Sequence, residues 1–441
     1  MVGKRGAVMA PQDFGRRHRG LAAGGKDRDD TTMSAPSEGR PPAVLQILPR
    51  LVSGGAERGT VELAEWLTAA GWTAYVASAG GPLETLITRS GGTHLTLPLA
   101  SKNPLVMRAN AAALGRAIRR LGIDIVHARS RAPAWSAWAA ARATGRHFVT
   151  TFHNAYGVGS RLKHRYNSVM AKGERVIAIS EFVAEHAARV YGVGADRLRT
   201  IPRGVDLDVF DPLQVSGARM ASLAREWRLP DGAPVVMLPG RLTRWKGGLD
   251  FVAAIATLGR RDIFCLLVGA EQRPGFRREL EAAIARHGLN ELFRIIDGCS
   301  DMPAAYMLAD VVVSASTDPE GFGRVIVEAQ AMGRPVVATD HGGARETILP
   351  GVTGWLAPPS DPVALGKAIG AALALAPADR ALLARQAIAH VAAHFTRARM
   401  CAKTIAVYEE LLFPESFDAS GRTEGFVRIW ADEEPDRQPG L

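Results

Sequence analysis

The stretch DPEGFGRVIVEAQAMGRPVVATDHGGARE, Asp318 to Glu346, decides how the rest of the chain is read. It follows Val311-Val312-Val313, an apolar β-branched run ending in Ser314-Ala315-Ser316, which predicts a buried strand entering a loop. Gly321 and Gly323 let the backbone approach a ligand where a side chain would block it. From Arg324 the apolar residues Val325, Ile326, Ala329 and Met332 fall at helical spacing. Gly333 and Pro335 stop that helix, and Val336 to Thr339 is the next expected strand. A Gly-flanked helix start after a strand suits an anion, because free N–H groups and the helix dipole both point outward.

Two carboxylates bracket this turn, Glu320 before it and Glu328 in the helix. A carboxylate repels phosphate but accepts hydrogen bonds from paired hydroxyls, as on a ribose or a sugar. Hydroxylated rings at both ends and an anion between them describe a nucleotide-sugar.

Outward toward the N-terminus, strand Pro234 to Leu238 leads into the loop Gly240-Arg-Leu-Thr-Arg-Trp-Lys-Gly-Gly248. Its Lys lacks the preceding glycine of a phosphate-binding GxxxxGK[ST] loop, so an ATPase reading fails. Arg241 and Lys246 instead suit a diphosphate, Arg as a fork and Lys as a point charge. Strands Ile263 to Val268 and Phe293 to Ile296 follow, the second ending at Asp297-Gly298.

The first half opens with strand Val44 to Leu48, a loop carrying Gly54 and Gly55, a helix from about Arg58 to Ala70, and strand Trp72 to Ser78. That order opens a parallel α/β sheet. The glycines do not follow GxGxxG and no acid ends the second strand, so a dinucleotide site is disfavoured. Gly54 and Gly55 are read as facing a cleft, or as a tight turn only. A further strand is expected near Leu95 to Leu97. Strand Ile123 to Val126 is expected to deliver His127, Arg129 and Arg131 to a loop, either facing an anionic acceptor or solvated. Phe148 to Phe152 ends in His153-Asn154, and Arg161, Lys163, His164 and Arg165 are expected to face the acceptor. Asp206-Leu-Asp208 has the form of a metal-binding triplet. Asp211 to Gly232 reads as a linker, and His390 and His394 as a surface pair, since no HExxH Glu accompanies them.

A chain of 441 residues exceeds the roughly 250–300 that one core supports, so two domains are expected. Three widely spaced cysteines form neither a disulfide framework nor a zinc pattern, which fits a reducing compartment. The net charge of +10 comes mostly from scattered Arg without basic–aromatic stacking motifs, so nucleic acid is not expected as a partner. An anionic membrane surface explains it as well. No stretch reaches the roughly 18–20 apolar residues that span a bilayer. Residues 1–40 read as a disordered extension, with Met33 an alternative start. Residues 414–441 read as a loose tail with one short element at 425–430.

Glu320-(seven residues)-Glu328, with GFG inside it and AMGRPVVATDHGGARE after it, resembles the EX7E signature of retaining glycosyltransferases of the GT-B fold, in particular family GT4. PGRLTRWKG (Pro239 to Gly247) resembles the family's basic diphosphate loop and SGGAERGTVELA (Ser53 to Ala64) its N-terminal Gly-rich loop. IAISEFVAEH and IPRGVDLDVFDP resemble the segment before its linker. The likeness covers roughly residues 43–413. It implies an α/β fold of two Rossmann-like domains, with parallel sheets facing across a deep cleft. Residues 41–212 would form the acceptor domain and 230–395 the donor domain. The last helix, about 396–413, would cross back onto the first.

It further implies transfer of a sugar from a UDP- or GDP-sugar to a glycan or lipid-linked acceptor, with retention and without a metal or other cofactor. His153 and Glu320 would contact the donor sugar, and Arg241 and Lys246 the diphosphate. Gly54, Gly55, Gly321, Phe322, Gly323 and Arg324 would surround the donor, with Glu328 on the ribose and Asp297-Gly298 near the base. The expected setting is cytoplasmic, peripheral at the inner face of the membrane, in lipopolysaccharide or other envelope synthesis. A sugar-nucleotide epimerase of the same fold and a non-catalytic nucleotide-sugar binder are the alternatives.

Overall fold

The computed structural model describes residues 39–416 apart from 53, 158 and 273. The expectations for residues 1–38, Met33 among them, and for the tail from 417 lie outside the described residues. Two parallel sheets carry the chain. The first holds β1 (Ala43–Ile47), β2 (Thr73–Ser78), β3 (Thr93–Thr96), β4 (Ile125–Ala128), β5 (His147–Phe152), β6 (Arg175–Ala178) and β7 (Leu198–Thr200). Their spatial order is β3-β2-β1-β4-β5-β6-β7. The second holds β8 (Val235–Pro239), β9 (Phe264–Val268), β10 (Phe293–Ile296), β11 (Val311–Ser314), β12 (Val336–Thr339) and β13 (Trp355–Ala357), in the order β10-β9-β8-β11-β12-β13.

Each sheet reverses its winding once, between β1 and β4 in the first and between β8 and β11 in the second. At such a switch point neighbouring loops leave the carboxyl ends of the strands toward opposite faces and open a crevice. The central strands are apolar on both faces, as strands covered by helices on each side must be. One core cluster runs without a break from Ile47, Val126 and Phe152 of the first sheet to Met237, Val312 and Val336 of the second. The two domains therefore share buried apolar surface.

The chain crosses between domains twice at one place. Val205 bonds residues 395 and 397 through its backbone, its N–H donating to Phe395 O and its carbonyl accepting from Arg397 N–H, both 2.8 Å. Helix Arg397–Leu412 then lies on the first domain, burying Met400, Cys401, Val407, Tyr408 and Leu412 in its core. Glu410 fixes it there through Arg175 and Arg199.

Three expectations need correction. His127 is not on a loop: it belongs to β4, fully buried, held at 2.6 Å by Tyr408 and at 2.7 Å by Thr151. Arg131 is likewise not on a loop: it opens helix Arg131–Thr144, which the Ala-rich and weakly patterned sequence conceals. The linker holds helix Gly217–Glu226, anchored to the second domain by Arg219 on Asp301 at 2.6 Å.

Candidate active site

The loops after β8 and β11 meet at the second sheet's switch point. Thr317 N–H donates to Trp245 O at 2.8 Å, tying them together. Gly247 sits so close to β11 that a Cβ there would lie 1.7 Å from Ala315 O, which excludes any other residue. This seam sets Lys246 Nζ 2.7 Å from Glu320 Oε1, with the two side chains only 13% and 14% exposed. Ser316 also donates to that oxygen, and Ser314 stands 3.5 Å from it. Burial pushes the Glu320 carboxyl up, but Lys246 and the serine hydroxyls outweigh it and hold the group below its ordinary value.

Gly323, at φ +89°, turns the chain into helix Arg324–Ala331. Glu328, one turn in, accepts from Tyr306 at 2.9 Å and pairs with Arg324 at 3.1 Å. Both carboxylates are thus oriented before any ligand arrives. Phe322 is buried edge-on against Phe395. Arg241 is exposed on the loop after β8 and makes no ion pair among the described residues. Asp297 and Gly298 end the edge strand β10. The Asp297 side chain is 77% exposed and paired with Arg277.

The first domain faces this turn closely. A Cβ on Gly321 would lie 2.8 Å from His153 O, and one on Gly55 would lie 3.3 Å from Arg324 Cδ. Gly55 is the first residue of helix Gly55–Ala69, with Gly54 as its N-cap, so these glycines form a helix start and not merely a turn. His153 follows β5. Burial, with Arg129, Arg203 and His127 adding repulsion, holds its imidazole well below the histidine range, hence neutral at pH 7. Its Nε2 is buried and has no partner among the described residues.

Arg129 is buried on Gln46 and not exposed toward an acceptor, while Arg131 lies over the Tyr156 ring at 4.3 Å. His164 stacks on Tyr191 and bonds Val190 O, which makes it a packing residue. Arg203, unmarked in the sequence reading, covers Gly59 and donates to Gly55 O. Burial, and then Arg129, lowers its guanidinium to about 9, still charged at neutral pH.

Asp206 is engaged by Arg397 at 3.1 Å and by Asp208 N–H, as a structural turn would require. No group of three His, Cys, Asp or Glu could hold a metal among the described residues.

Residues 53–209 match the family model described as Glycosyltransferase Family 4, and residues 233–374 that of Glycosyl transferases group 1. A glycosyltransferase of Rickettsia africae has a crystal structure that superposes with a TM-score of 0.79 at 37% identity. The match covers 85% of this chain and 99% of that one. The chain belongs to glycosyltransferase family 4. A D-inositol 3-phosphate glycosyltransferase of Xylanimonas cellulosilytica is 37% identical over 209 residues. That match takes in 47% of this chain and 50% of the relative, so the chain spans about half the length of this curated relative. Anabaena HepE, solved in complex with UDP and glucose, shares the fold at a TM-score of 0.74 and 23% identity, over 83% of this family 4 chain and 99% of its own. No helix among the described residues of the family 4 chain is long and apolar enough to cross a membrane.

Proposed function

We propose that this protein transfers a sugar from a nucleotide-diphosphate sugar to a hydroxyl of a glycan or lipid-linked acceptor, retaining the anomeric configuration and using no metal. The observation that carries this reading is the paired switch points. Lys246 and Glu320 stand at one, the start of helix Gly55–Ala69 lies across from it, and Glu328 is oriented one helical turn away.

In this reading Arg241, Lys246 and the N–H groups from Gly321 to Arg324 receive the diphosphate. Glu320 accepts from the donor sugar's hydroxyls and Glu328 from the ribose diol. Neutral His153 contacts the sugar. The bond from the anomeric carbon to the diphosphate oxygen breaks, and its electron pair leaves on the diphosphate. The acceptor hydroxyl oxygen attacks from the same face, and its proton passes to the departing phosphate oxygen. Fixed cations aimed where that charge develops lower the barrier. Lys246 then serves twice, holding Glu320 ionised and meeting the diphosphate.

Envelope acceptors, lipopolysaccharide core or lipid-linked glycan, agree with the basic charge and with a cytoplasmic enzyme peripheral at the membrane. The name of the Xylanimonas relative favours a second acceptor class, a phosphorylated polyol. The test is a thermal-shift screen of UDP- and GDP-sugars, followed by transfer assays on both acceptor classes. Stabilisation by one nucleotide-sugar and acceptor-dependent release of its nucleoside diphosphate are expected. Consumption without an acceptor would make the protein an epimerase, and binding without turnover would make it a sensor.

A further inference from the structure

Helix Glu181–Tyr191 of the first domain starts at the domain boundary, and residues of the second domain bond its first turn. The Glu346 carboxylate accepts from Glu181 N–H and from Phe182 N–H, each at 2.8 Å. Ser180, fully buried, caps Val183 N–H at 3.1 Å and donates to Gly321 O at 2.6 Å. A helix leaves its first N–H groups without intrahelical partners, and a carboxylate there also meets the positive end of the dipole. Two of those groups are satisfied here by a residue from the opposite side of the cleft.

Glu346 is also tied to the site from behind. It stands in the short helix Ala344–Thr347, entered through Gly342-Gly343. Gly343 N–H donates to Glu320 O at 2.9 Å, and a Cβ on Gly343 would lie 2.5 Å from Phe322 Cα. Backbone packed so closely has no slack, so a displacement of residues 343–346 carries the Glu320–Phe322 turn with it.

We propose that Glu346 is a positioning residue: it latches the first domain's helix to the turn that carries Glu320, so that this turn takes its site geometry only when the cleft is closed on it. Among the described residues Glu346 forms no hydrogen bond or ion pair with Lys246 or the Glu320 carboxylate, and it acts through the Gly343–Glu320 backbone bond. The proposal rests on the donor-site reading above. Apparent affinity for a nucleotide then falls with the closed fraction, since only the latched turn binds it fully.

The test compares wild type with Glu346→Gln, which keeps the size but turns an amide NH2 toward a backbone N–H. Ser180→Ala serves as a second variant that breaks the Gly321 bond from the other side. Hydrogen exchange is followed in peptides covering 181–183 and 318–324, and UDP and GDP binding by calorimetry. Faster exchange in both peptides and roughly fivefold weaker binding of whichever nucleotide the wild type binds are expected for each variant, a typical coupling between sites. Faster exchange at 181–183 alone, with 318–324 and nucleotide affinity unchanged, would overturn the proposal and leave Glu346 a simple helix cap. If the wild type binds neither nucleotide, the donor reading fails, and the exchange in 318–324 alone decides the latch.

Discussion

The two sides of the cleft solve the burial of charge in opposite ways. On the second domain the half-buried charges at the turn are paired: Lys246 with Glu320, Arg324 with Glu328, and Tyr306 closing the second pair. On the first domain the cations Arg129 and Arg203 lie buried side by side with neutral His153. Arg129 Nε and His153 Nε2 have no partner among the described residues. Paired charges hold their geometry before binding and cost little to keep ionised. An unpaired buried donor carries its desolvation cost until something accepts from it. The paired side is therefore suited to gripping a donor of fixed shape, and the unpaired side to completing its contacts when a ligand arrives.

The sharpest way to break that contrast is Lys246→Ala. It removes the Glu320 partner and, on the proposed reading, a cation that meets the diphosphate, so turnover is expected to fall by about 10²–10³-fold. Unchanged steady-state kinetics would end the diphosphate assignment. Glu328→Ala should act on binding more than on chemistry. With Glu328 on the ribose diol as proposed, its loss is expected to weaken nucleotide affinity by about 10–100-fold in calorimetry, with turnover at saturation altered far less. On the unpaired side, His153→Ala should lower kcat/KM by about tenfold, measured with saturating acceptor, since the hydrogen bond proposed to the sugar would be lost.

The smallest effect sharpens the comparison through pH. His127 and His153 are both held below 6.5 in the folded chain, chiefly by burial. As pH falls below about 6.5 the unfolded chain takes up protons first, so stability declines. His153→Ala should flatten that decline in urea midpoints measured between pH 7 and 5. Glu320 behaves as its partners dictate. Held below 4.5, it contributes stability that is fully present above that value and is lost as pH falls through the folded value. Lys246→Ala should remove that contribution.

Much of the fold was legible because its signals are local. β10, Phe293 to Ile296, is legible because three large apolar residues stand within four positions between a helix and Asp297-Gly298. The Gly323 turn and the helix after it were marked by glycine and by 3.6-residue periodicity. Where the local signal was weak the reading failed. RAPAWSAWAAARAT hid a helix behind Pro133 and a run of alanines, and GARMASLARE hid another inside the linker. His127 was misread for a different cause: its burial depends on Tyr408, which the chain brings back from 281 positions away.

The residues alone determined that strands and helices alternate, that glycines stand where backbone must approach backbone, that two acids bracket one turn and that two cations lie on a separate loop. Periodicity and residue chemistry act over a few positions and can be read without coordinates. Only the tertiary structure decided that Lys246 pairs with Glu320 across 74 residues and that Glu346 caps a helix of the other domain. It also decided that burial pushes the His153 imidazole well below the ordinary histidine value. Ion pairs, caps across a cleft and desolvation depend on distances between segments remote in sequence, which only the folded chain specifies.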